Sequence, residues 1–200
     1  PVEHIDFDIL KREEPKVRVR HITRAEAKAV LKNLPPHIVL IVAWSLATGC
    51  RKNETKTLRW TRVNLETRQA EVQTKGGGTR FVDLGDNALQ VLAECKRTGP
   101  YVFDFKNLRK HFDRALREAG IDDFRFHDLR HTFATWLGNA VGDIAVVMKA
   151  LGHAQITTTM RYRHVMRTDV ARGVQQLPML LNSKVASLNN RLIRRTRRIG

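Results

Sequence analysis

Hydrophobic and polar positions follow two rhythms along this chain. Thr23 followed by Glu26 is a capping-box signature, in which each side chain satisfies the other residue's backbone N–H, and it predicts a helix through about Asn33. Pro35 and Pro36 then open a second helix, because a fixed φ and a missing donor suit a first helical turn. Ile38, Val39, Leu40, Ile41, Val42, Trp44 and Leu46 cover every side of that helix, so it is expected at the centre of the fold, ending near Gly49. Between about Val63 and Leu84 the pattern changes. Gln69 to Thr74 and Thr79 to Leu84 are rich in β-formers and flank Lys75-Gly76-Gly77-Gly78, which reads as a hairpin or small antiparallel sheet.

Beyond Asp86 the helical period returns. Ala88, Val91, Leu92 and Cys95 make one apolar face, and Leu108, Phe112, Ala115, Leu116 and Ala119 make another before the Gly120 stop. Phe126, Leu129, Phe133 and Leu137 repeat the spacing, as do Ile144, Val147, Met148 and Leu151, closed by Gly152 in the C-cap role. The expected fold class is mainly α with a small antiparallel β-sheet or hairpin. Residues 1–20 are polar and charge-rich without a sustained period, and read as a linker or extended arm.

Composition narrows the partner. A chain of 200 residues suffices for one domain with a real core, burying roughly 70% of its unfolded surface. Lys and Arg number 36 against 20 Asp and Glu, and a formal charge of +16 favours a polyanion, with nucleic acid first. Arg191, Arg194, Arg195, Arg197 and Arg198 crowd the C-terminal end, yet +16 less these five is still +11, so the body is basic too. Cys50 and Cys95 are isolated, which fits a reducing cytoplasm or nucleoid and argues against a cysteine zinc site. The apolar run from Ile38 to Ala47 is about half the ~20 residues of a membrane span, and no signal-peptide pattern opens the chain. The expectation is a soluble intracellular, cytoplasmic protein without membrane contact. Opening on Pro1 rather than methionine, the chain reads as part of a larger protein with an upstream domain.

Several segments carry chemistry. His127 and Arg130 are three apart on a predicted helix and project to one side, expected at the surface while Phe126, Leu129 and Phe133 face the core. Arg51 follows Gly49-Cys50, with Glu54 one turn further on, where it could fix an arginine rotamer. Two fixed guanidiniums could clamp the non-bridging oxygens of one phosphodiester and stabilise a pentacoordinate transition state. Lys75 stands at the hairpin tip, either as a solvated turn lysine or as a general acid for a poor alkoxide leaving group. His153 follows the helix-ending Gly152, and Tyr162 lies nine residues on among Arg161, Arg163 and His164. A phenol with a pKa near ~10 needs cations and a base to act as a nucleophile. Singly, each residue also fits a surface ion pair, a helix-end histidine or a rim tyrosine.

Taken together, Thr48-Gly49-Cys50-Arg51-Lys52-Asn53-Glu54, Thr74 to Arg80, Phe126-His127-Asp128-Leu129-Arg130-His131-Thr132 and Leu151-Gly152-His153 through Arg161-Tyr162 resemble, in order, the catalytic motifs of the tyrosine recombinases, or phage-type integrases. The resemblance runs from about Thr23 to Val165. It implies a site-specific recombinase that cleaves and rejoins DNA through a 3′-phosphotyrosyl intermediate, with no cofactor, metal or ATP. It implies Arg51 and Arg130 as phosphate clamp, Lys75 as general acid, His127 as base, His153 as transition-state donor and Tyr162 as nucleophile. It further implies residues 1–20 as a linker from an N-terminal DNA-binding domain, 21–178 as the catalytic domain, and 179–200 as a basic tail exchanged between protomers. The implied partners are double-stranded DNA, a homo-tetramer on that DNA and accessory DNA-bending proteins, in the setting of a phage or mobile element. Lys52, Asn53 and Thr55 depart from the family by being more polar than is usual after the first arginine.

Other readings of the same residues are a non-catalytic basic DNA-binding module and a type IB topoisomerase-like enzyme. A third takes His127-Asp128-Leu129-Arg130-His131 as a relative of zinc HExxH, with Asp128 one methylene short and Arg130 setting a cation beside the metal. Gly76-Gly77-Gly78 lacks the GK[ST] ending of a P-loop.

Overall fold

A computed structural model of the chain describes residues 19–74, 76–153, 156–160 and 162. Lys75, most of the expected arm at 1–20 and the expected tail at 179–200 lie outside the described residues. The elements in chain order are α1 (Arg24–Lys32), α2 (Pro36–Thr48), α3 (Lys52–Lys56), a single 3-10 turn (Trp60–Arg62), β1 (Val63–Asn64), β2 (Gln69–Gln73), β3 (Thr79–Asp83), α4 (Asp86–Glu94), α5 (Leu108–Glu118), α6 (Asp128–Val141), α7 (Ile144–Leu151) and α8 (Ile156–Met160).

The capping box forms as its spacing predicts. Glu26 N donates to Thr23 Oγ1 at 3.2 Å, and Thr23 N donates to Glu26 Oε2 at 2.6 Å, which starts α1. Helix α2 begins at Pro36 and ends at Gly49, whose φ of +64° is left-handed. It packs against α1, α3, α4, α5 and α6, as its all-round apolar surface predicts. Ile38, Ile41, Val42 and Trp44 are fully buried there, and Trp44 meets Phe103 with ring centroids 5.4 Å apart. Helices α3 and α8 were not legible in the apolar period, since each has only five residues.

The sheet has the order β1-β2-β3 and is antiparallel throughout. Ala70 pairs with Val82 and Val72 with Arg80, so these four residues share one face. Ala70, Val72 and Val82 are buried in the main core, whereas Phe81 on the opposite face is 67% exposed. Arg80 is therefore a charged residue on the core side of a strand.

A second, smaller apolar cluster forms where α6 and α7 meet. Ala134, Val147, Leu151 and Tyr162 are its buried members, with Phe133, Leu137 and Ile144 packed around them. Near its start α6 is held to the chain before α1: Ile22 N donates to Thr132 Oγ1, which itself donates to Asp128 O.

Candidate active site

The centre of the site is Arg130, and it is not at the surface. The expected exposed His127–Arg130 pair splits: His127, at the N-cap of α6, is exposed, whereas Arg130 is 3% exposed. The reason is geometric. One turn into α6 the side chain points between the end of α2 and the end of α7, where two carbonyl groups lie without helical partners. Arg130 Nη1 donates to Gly49 O at 2.7 Å and Nη2 to Leu151 O at 2.6 Å. Burial, then the neighbouring Arg51 cation, pushes the Arg130 pKa down to about 10, against the pull of Glu54, so it remains cationic at neutral pH.

Arg51 is the N-cap of α3 and is braced by Glu54. Its Nη1 donates to Glu54 Oε1 at 2.8 Å, and its backbone N donates to Glu54 Oε2 at 2.8 Å. The Arg51 side chain stays 37% exposed while that of Glu54 is 2% exposed, so one face of the guanidinium looks outward. Glu54 also holds Arg80, whose Nη2 donates to Oε2 at 2.8 Å. Burial alone would push the Glu54 carboxyl up, but Arg80 and then Arg51 outweigh it and hold the group below its ordinary range. Of the polar departures in this segment, Lys52 and Asn53 are exposed, whereas Thr55 is fully buried, its hydroxyl without a hydrogen-bond partner among the described residues.

His153 sits just past α7. Arg130 Nη2 approaches its Nε2 at 3.1 Å, and an arginine can only donate, so Nε2 accepts and the ring proton lies on Nδ1. Nδ1 then donates to Thr159 Oγ1 at 2.8 Å, which fixes the ring from the other side. Gly152 makes this turn possible. Its φ is +64°, and a Cβ there would lie 2.5 Å from Arg80 Cδ.

Tyr162 is 1% exposed in the small α6–α7 cluster, and its hydroxyl lies 2.8 Å from Nδ1 of His131. The His131 ring also meets the edge of His127, at 5.1 Å between centroids and 86° between planes. The phenol is thus paired with the histidine after Arg130, a residue to which the recombinase resemblance gave no role. Arg51 and His127 line one cleft of about 460 Å³ with Gln73 and Thr74, the latter adjoining Lys75. The expectation for Lys75 lies outside the described residues.

The structure thus brings Arg51, Arg130 and His153 into one network, sets His127 at its cleft and tucks Tyr162 behind it. Arg80 and His131 are the additions. Arg80 could have been found from strand alternation, because it falls in step with Val82 and Leu84, an inward register for a charge. His131 was marked in sequence only by its i, i+4 spacing from His127, and nothing there pointed to Tyr162. Nδ1 of His131 is engaged by the Tyr162 hydroxyl.

Residues 20–168 match the model of the phage integrase family. The integrase of Salmonella phage P22 is 29% identical to this chain over 208 aligned positions, covering 91% of this chain and 53% of the relative. Tyrosine recombinase XerC of Staphylococcus haemolyticus is 30% identical over 162 positions, covering 70% of this chain and 52% of the relative. Among solved structures, the catalytic domain of bacteriophage HP1 integrase superposes with a TM-score of 0.68 at 25% identity, covering 81% of this chain and 97% of that domain. A mainly helical domain with a small antiparallel sheet and a braced arginine cluster is therefore the fold of a tyrosine recombinase catalytic domain. The chain belongs to the phage integrase family. It spans about half the length of the P22 and XerC relatives, 53% and 52%. No helix among the described residues is long and apolar enough to cross a membrane.

Proposed function

We propose that this chain cuts and rejoins double-stranded DNA through a covalent 3′-phosphotyrosyl intermediate. The observation that carries this is the convergence at Arg130, whose guanidinium joins the carbonyl beside the Arg51 segment, the end of α7 and His153. Three motifs far apart in sequence meet at one cation, and Arg51 is braced next to it by Glu54. Such preorganised donors suit a phosphate whose charge grows in the transition state.

In this mechanism Arg51 and Arg130 hold the non-bridging oxygens. The Tyr162 hydroxyl attacks phosphorus, His127 takes the phenol proton, the Oη–P bond forms and the P–O5′ bond breaks. Lys75 protonates the departing 5′ oxygen, and His153, released from Arg130 and taking a proton from solvent at Nε2, donates from Nε2 to a phosphate oxygen. A 5′ hydroxyl of another strand then attacks the phosphotyrosine and reverses the step, so the bond energy is kept. Tyr162 must first leave its pocket. Taking an aromatic ring out of the α6–α7 cluster costs roughly 1.5–3 kcal/mol, which contacts with DNA must offset. The charge of +16 supports a DNA partner. Tetramer assembly on DNA, exchange of a tail after Tyr162, accessory DNA-bending proteins and a bacterial cytoplasmic setting belong to the same proposal.

Covalent trapping tests it. The chain is mixed with supercoiled plasmid and with nicked duplexes of randomised sequence in EDTA, then denatured with detergent. A protease-sensitive protein–DNA adduct is expected from the unaltered chain and none from Tyr162→Phe, with DNA affinity retained. An adduct that persists in Tyr162→Phe, or none from the unaltered chain while it binds DNA, refutes tyrosine chemistry. Relaxation of plasmid without exchange between sites would instead mark a topoisomerase.

A further inference from the structure

Arg80 is a largely buried guanidinium in the site to which the proposed chemistry gives no role. Its side chain is 10% exposed and reaches two helices from the core side of β3. Nη2 donates to Glu54 Oε2 at 2.8 Å on α3, and Nη1 donates to Ala150 O at 3.0 Å in the last turn of α7. The stem runs against Gly152, where no side chain fits. The residue after Ala150 supplies a carbonyl to Arg130, and His153 follows two residues later. One side chain therefore links the hairpin, the brace of Arg51 and the segment that carries Arg130 and His153.

The charge balance around Glu54 explains why such a link matters. Glu54 is almost fully buried and faces two guanidiniums, Arg80 from within and Arg51 from the cleft. The Arg51 side chain engages only Oε1, through Nη1, while Arg80 donates to both oxygens, Nη2 to Oε2 at 2.8 Å and Nε to Oε1 at 3.4 Å, and the Arg51 backbone N–H shares Oε2. Without Arg80, the buried carboxylate would turn both oxygens on Arg51 as a bidentate fork, the preferred geometry of that pair. The N–H groups of Arg51 would then point at Glu54 instead of into the cleft.

We propose that Arg80 is a positioning residue for the phosphate clamp: it neutralises Glu54 from the core side so that Arg51 keeps donors for a phosphate, and it ties the hairpin to the α7 end that anchors Arg130. This rests on the clamp assigned above, and Arg80 itself touches no reacting atom.

The test is a double-mutant cycle in the 200-residue chain. Arg80→Met keeps the apolar stem and removes the charge, and Arg80→Met/Glu54→Gln also removes the carboxylate that Arg80 balances. Arg80→Met should slow adduct formation roughly 100-fold, the scale of one lost transition-state donor, while DNA affinity changes less than about threefold. The double variant should recover at least about tenfold of that rate, which a packing role for Arg80 does not predict. If Arg80→Met fails to fold, Arg80→Lys replaces it in the same cycle, since a lysine reaches Glu54 or Ala150 but lacks the fork for both.

The cycle is read a second time without catalysis, by titrating inorganic phosphate and following the Arg51 and Arg130 Nε–H resonances. Weaker phosphate binding in Arg80→Met and recovery in the double variant support the proposal even if the unaltered chain forms no adduct, an outcome that refutes only the tyrosine chemistry. Folded variants in which Glu54→Gln restores neither the adduct rate nor phosphate binding overturn the role of Arg80.

Discussion

Replacing Gly49 by alanine should be costly for two separable reasons. The residue has a φ of +64°, where an L side chain costs about 1–2 kcal/mol. A Cβ there would also lie 2.3 Å from Phe133 Cδ1 and 2.8 Å from Cε1, so the ring or the α2 end must move. Overpacking of that kind costs roughly 1–3 kcal/mol. The sum, about 2–5 kcal/mol, is a large part of the ~5–15 kcal/mol that keeps a domain folded. At ~2–4 °C per kcal/mol for a chain of this size, the melting temperature should fall by roughly 4–20 °C. Gly142→Ala is the control, because Gly142 has a φ of +70° but a Cβ added there would meet no atom within 4 Å. It should lose only the backbone part, roughly 2–8 °C by the same conversion. Circular dichroism melts of both variants decide the matter. If Gly49→Ala melts within about 2 °C of Gly142→Ala, the Phe133 contact is not what makes the position exclusive to glycine. Gly49 O also anchors Arg130, so the same variant should slow adduct formation more than it weakens DNA binding.

Two further outcomes follow from the buried groups. Burial pushes the Cys50 thiol up despite Arg80, and burial with the Glu94 charge pushes Cys95 up to about 11, so both should react with a maleimide far more slowly in the native chain than in denaturant. Fast native labelling of Cys50 would mean that the α2–α3 junction opens. Glu54 is held below the ordinary carboxylate range, so its contribution is complete above that range and is lost as pH falls through the depressed value. Glu54→Gln should therefore lower the melting temperature at neutral pH, by an amount set by the ~3–5 kcal/mol of a broken buried pair, and the gap should close in acid. A gap independent of pH would show that the carboxylate's charge is not what stabilises the network.

The hairpin, the central α2 and the α1 cap were legible because each depends on neighbours close in sequence: proline and glycine set local φ, and Thr23 reaches Glu26 within one turn. The family was legible too, since its motifs keep their residue types and order. Exposure was not. His127 and Arg130 look alike in sequence, yet one lies on the surface and the other is buried, because only packing brings the α2 and α7 ends over the first turn of α6. The same holds for the partner of Tyr162. Sequence marked the phenol and the histidine of the motif, but the fold seats the ring against Val147 and Leu151 and brings it to His131. Sequence by itself determined the helical and strand periods, the turns and the roster of reactive side chains, all set by local conformation and residue chemistry. Tertiary structure alone decided which charges are buried together, because the desolvation of Arg130, Glu54 and Arg80 depends on elements dozens of residues apart that meet only when the core closes.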